Sequence, residues 1–128
     1  MLHFWIELNG ANQTLLSNQV TLKYLRKRVR ELMQILNTTT QVCLLHCSAG
    51  MHRTGTLGFT LLRLGSQGAL SKEQAYLALK TLREDTYSGV GDWRVELAEE
   101  NLVLPILEDR PEDLAIPDDC PSGELPVE

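Results

Sequence analysis

One short stretch dominates what this chain can fold into. The apolar run Val42-Cys43-Leu44-Leu45 leads directly into His46-Cys47-Ser48-Ala49-Gly50-Met51-His52-Arg53-Thr54-Gly55. A second apolar run, Leu57-Gly58-Phe59-Thr60-Leu61-Leu62, follows at once. The first run predicts a short buried strand and the second a helix, so the polar stretch between them is a strand-to-helix loop. Such a unit gathers backbone N–H groups and the positive end of a helix dipole around one point, which is suited to a tetrahedral oxyanion.

The side chains in the loop fit that field. A cysteine near a helix N-terminus and positive neighbours has its thiol pKa lowered from about 8.5, to roughly 3.5–7.5. Cys47 is therefore expected to be a thiolate at neutral pH, the nucleophilic form. Arg53 brings a planar fork of donors that fits two oxygens of a phosphoryl group. Thr54 can donate its hydroxyl to the Cys47 sulfur, and His46 is expected to order the loop. Gly50 and Gly55 allow close backbone approaches. A buried cysteine at a strand end is commonly inert core, and it is the full set of residues that argues against that here. A Walker A loop fails, because Thr56 stands where lysine is required. No metal site is expected, since no second Cys/His pair has ligand spacing.

The run resembles the His-Cys-x5-Arg-(Ser/Thr)-Gly phosphate loop of the cysteine-dependent protein tyrosine and dual-specificity phosphatases. The resemblance spans roughly residues 2–107, tight over the loop and loose elsewhere. It implies a phosphatase-like α/β domain, a small parallel sheet with flanking helices, shortened at the N-terminus. It also implies a protein phosphatase that works through a phosphocysteine, without a cofactor. Cys47, Ser48, Ala49, Gly50, Met51, His52 and Arg53 would hold the phosphate.

The family's general acid is an aspartate on a mobile loop some thirty to forty residues before the cysteine. No aspartate precedes Asp85 in this chain. Of Glu7 and Glu31, the two acidic residues before Cys47, Glu31 falls on the polar side of a helical pattern and reads as a solvated charge. Glu7, in His3-Phe4-Trp5-Ile6-Glu7, is similar in placement to the family's Trp-Pro-Asp loop and is the candidate acid. The competing reading of Glu7 is an exposed strand-end carboxylate. Its extra methylene shifts the carboxyl by about a bond length, and misplacement on that scale can slow a reaction on the order of 10²-fold. Asp92 lies near where relatives carry a residue that orders the hydrolytic water. Ser88-Gly89-Val90-Gly91-Asp92 reads as a glycine-rich loop, and Asp92 as the N-cap of the helix that follows.

Elsewhere the pattern is helical. Leu22, Leu25, Val29, Leu32 and Leu36 step by three and four, giving an amphipathic helix from Gln19 to Leu36. Lys23, Arg26, Lys27, Arg28 and Arg30 read as its solvated face. Without interleaved aromatics they do not suggest nucleic-acid binding. Leu2 to Leu8 is expected as a strand, parallel to Val42–Leu45 through a right-handed crossover. Ser71 and Gln74 have capping-box spacing and open a helix through Arg83, with Ala75, Leu79 and Leu82 as its apolar face. A last helix is expected from Trp93 to Leu104, stopped by Pro105.

At 128 residues the chain is one domain. Its net charge of −5 is concentrated in residues 108–128, where Glu108, Asp109, Glu112, Asp113, Asp118, Asp119, Glu124 and Glu128 face Arg110 alone. Residues 1–107 form a mildly basic body, and the acidic tail is expected to be disordered. Three cysteines, one of them Cys120 in the tail, offer no disulfide framework, and Cys43 reads as structural. A reducing cytoplasm fits an ionised thiol. No apolar run is long enough to span a membrane and no secretion signal is evident.

The variable loop residues Ser48 to His52 contain no lysine or arginine. That favours phosphoprotein over phosphoinositide substrates. The absent phosphotyrosine-recognition loop favours dual specificity, with a phosphorylated metabolite or RNA 5′-phosphate as alternatives. A different class of function is a catalytically weak or inactive phosphate-binding module. The missing aspartate and short N-terminus support it; an intact Cys47 and Arg53 oppose it.

Overall fold

The computed structural model describes residues 17–39, Leu45 and residues 52–108. Helix α1, Gln19–Thr38, begins at Asn18, whose side chain accepts from the Thr21 amide at 3.1 Å. Leu22, Leu25 and Val29 are buried and Leu32 and Leu36 half-buried, as the periodicity predicts. Arg26 departs from the expected solvated face. It is 4 % exposed, and its NH1 donates to the Asn101 carbonyl at 2.8 Å. Glu31 is not a lone surface charge either, because Arg28 holds it at 2.7 Å.

Helix α2, His52–Gly65, is the element around which the others gather. It contacts α1, α3 (Lys72–Leu82), α4 (Glu84–Val90), α5 (Asp92–Ala98) and a π-helical turn, Glu99–Val103. Phe59 is fully buried at its centre. The buried Thr56 and Thr60 hydroxyls donate back to the carbonyls of His52 and Thr56, at 2.7 and 2.8 Å, so neither brings an unmet polar group into the core. Gln67, with φ of 54°, ends the helix in a Schellman turn: Gly68 N–H reaches Arg63 O at 3.0 Å, and Gln67 N–H reaches Leu64 O at 2.9 Å.

The capping box at Ser71 and Gln74 is present in both directions, at 3.1 and 2.9 Å. Arg83 closes α3 and opens α4, so the helix stops one residue short of the expected end. Ala75 and Leu79 face the core, but Leu82 is 72 % exposed and does not extend that face. Ser88 to Val90 are helical rather than part of a loop, and the break falls at Gly91, with φ of 80°.

Pro105 does not stop the last helix. The chain runs from α5 through the π-helical turn into α6, Leu104–Glu108, with Pro105 buried inside it. A proline has no N–H, so an α-helical turn at position 105 would leave the Asn101 carbonyl without its donor. Arg26 donates to that carbonyl from α1. The two features together explain how the helix continues.

The α/β expectation is corrected. Among the described residues every regular element is helical and none is a strand. The physical reason lies in the core of the described residues, whose buried side chains from Leu22 to Val103 come from helices that cover one another directly. The two segments expected as strands lie outside the described residues, except Leu45, which is exposed and in no regular element. Glu108 ends α6, and residues 109–128, most of the expected acidic tail, lie outside the described residues. Among the described residues no helix is long and apolar enough to cross a membrane.

Candidate functional site

Of the residues singled out in the sequence, His52, Arg53, Thr54, Gly55 and Asp92 fall in the described part. Glu7, His46, Cys47, Ser48, Ala49, Gly50 and Met51 lie outside it. The helix expected after the loop is present but starts earlier than expected: His52 to Gly55, read as loop, form its first turn. His52 is exposed, whereas Arg53 and Thr54 are half-buried and both are engaged by neighbours. That first turn holds no acidic residue. A cation at the positive end of a helix dipole is unfavourable by about 0.3–1 kcal/mol, and a bound anion would reverse the sign.

Gly55 explains how the rest of the molecule is fitted to this turn. A Cβ there would lie 2.7 Å from Val90 Cβ and 3.3 Å from Thr86 Cγ2. The close approach of α4 therefore depends on a residue with no side chain. On the other side, a Cβ on Gly58 would lie 3.8 Å from Leu45 Cδ2 and 3.3 Å from Leu79 Cδ2. Leu45 stands two residues before Cys47 in the sequence. Glycines at 55 and 58 thus let α4 and α3 approach α2 closely, while Leu45 lies at ordinary contact distance from position 58.

Asp92 is the first residue of α5, not its N-cap; Gly91 holds the cap position and makes no side-chain capping bond. The Asp92 carboxylate instead accepts from the Tyr76 hydroxyl of α3. Burial, this hydrogen bond and the nearby negative charge push Tyr76 up to about 12. Its ring packs on Tyr87 of α4, with centroids 4.9 Å apart, and Lys80 Nζ lies 5.7 Å from the Tyr87 centroid. Next along α5, the Arg94 guanidinium stacks 4.1 Å over the Trp93 ring and donates from NH1 to Val90 O at 3.0 Å. Burial lowers Arg94 from the usual guanidinium range.

Tyr76, Thr86 and Val90 escaped the sequence reading. Tyr76 lies beside the apolar stripe of α3, and nothing local to it signals an acidic partner sixteen residues on. Among the described residues no group of His, Cys, Asp or Glu side chains is placed to hold a metal ion.

Compared with known protein families, residues 7–86 match the model of the tyrosine phosphatase family. That span includes Glu7, Cys47, Arg53 and Thr54, and ends before Asp92. Neither the curated proteins nor the solved structures contain a match.

Proposed function

Because the chain belongs to the tyrosine phosphatase family, we propose that it hydrolyses phosphate monoesters of proteins through a phosphocysteine on Cys47. The observation that carries the reading is the Cys47-x5-Arg53-Thr54-Gly55 run, inside the matched span and continuous with the first turn of α2. Phosphotyrosine is the first substrate, with phosphoserine and phosphothreonine accepted as well. The absence of lysine and arginine from Ser48 to His52 supports protein over phosphoinositide substrates.

In the first step the Cys47 thiolate attacks phosphorus and the bond to the leaving oxygen breaks. Glu7 gives that oxygen a proton. The Arg53 fork holds two phosphoryl oxygens as charge redistributes. In the second step water attacks phosphorus, the S–P bond breaks, and Thr54 donates to the departing sulfur. Asp92 orients the water. The chemistry requires a free thiol, so a reducing compartment such as the cytoplasm is part of the proposal.

The test is p-nitrophenyl phosphate hydrolysis by the wild type and by Cys47→Ser, between about pH 5 and 8. Cys47→Ser is expected to lose turnover and keep phosphate binding, and Arg53→Ala to lose both. Glu7→Gln should slow poor leaving groups most, on the order of 10²-fold. No turnover by folded wild type would sink the enzyme reading in favour of a phosphate-binding module. An unchanged rate and pH profile in Glu7→Gln would remove Glu7 as the acid.

A further inference from the structure

We draw no further inference here: the strongest candidate, the exposed Trp93 ring at the start of α5 with the Arg94 guanidinium stacked on it, carries nothing, because nothing among the described residues shows what covers it.

Discussion

Arg63 and Glu99 meet through two parallel hydrogen bonds, Nε to one carboxylate oxygen at 2.8 Å and NH2 to the other at 2.6 Å. Their side chains are 9 % and 11 % exposed, and Arg63 NH1 also donates to Leu70 O at 2.7 Å. The hydrogen bond to Glu99 is the main reason the Arg63 pKa rises above the usual guanidinium range, and burial opposes it. One side chain thus ties the end of α2 to the π-helical turn and to the approach to α3.

Removing one member of this pair strands the other charge out of water. Glu99→Gln should destabilise by about 3–5 kcal/mol. The double replacement Arg63→Met with Glu99→Leu should lose much less than the two single losses combined. Urea unfolding of the three variants measures both quantities.

Gln67 occupies the left-handed region with φ of 54°, where a Cβ is strained. Gln67→Gly keeps the Schellman hydrogen bonds and removes the strain. It is expected to stabilise by about 0.5–1 kcal/mol, a rise of a few degrees in Tm. Calorimetry of the single variant decides it.

Gly55→Ala places a methyl 2.7 Å from Val90 Cβ. The expected loss is about 1–3 kcal/mol, with activity falling further because α4 must move away from the turn that carries Arg53. Val90→Ala keeps the offending Cβ and should not rescue the variant. Denaturation and turnover of the pair, measured together, test both statements.

Tyr76 is raised from 10.0 to about 12 on folding, so the native state favours the protonated phenol. For a raised group the stabilisation is whole below about pH 10 and is lost as pH climbs through about 12. Other tyrosines and lysines also titrate there, so the difference between wild type and Tyr76→Phe is the useful quantity. The wild type should lose stability faster across that window, as read by urea midpoints at successive pH values.

Much of the architecture was legible in the chain. The three-and-four spacing from Leu22 to Leu36 gave α1, and the Ser71–Gln74 pair gave the start of α3, because both signals are local and repeat with the helix period. Arg53 and Thr54 read as loop, whereas the helix already begins at His52. What stayed hidden depends on partners distant in sequence. Arg26 sits among lysines and arginines that read as a polar face, yet its acceptor lies 75 residues away. Pro105 reads as a stop only if that acceptor is ignored. Asp92 has the composition of a cap, and its bond to Tyr76 requires α3 and α5 to be packed first. The α/β expectation rested on two apolar runs read as strands; among the described residues every regular element is a helix, and packing helix on helix is a long-range outcome that no local pattern displays.

The Arg63 anchor lies ten residues after Arg53 along α2, about 15 Å down the helix axis at 1.5 Å per residue. A rigid rod held at its far end transmits any tilt to its near end. A substitution at Glu99 would therefore be scored by a blind activity screen as a lesion of phosphate handling, although Glu99 does not belong to the loop.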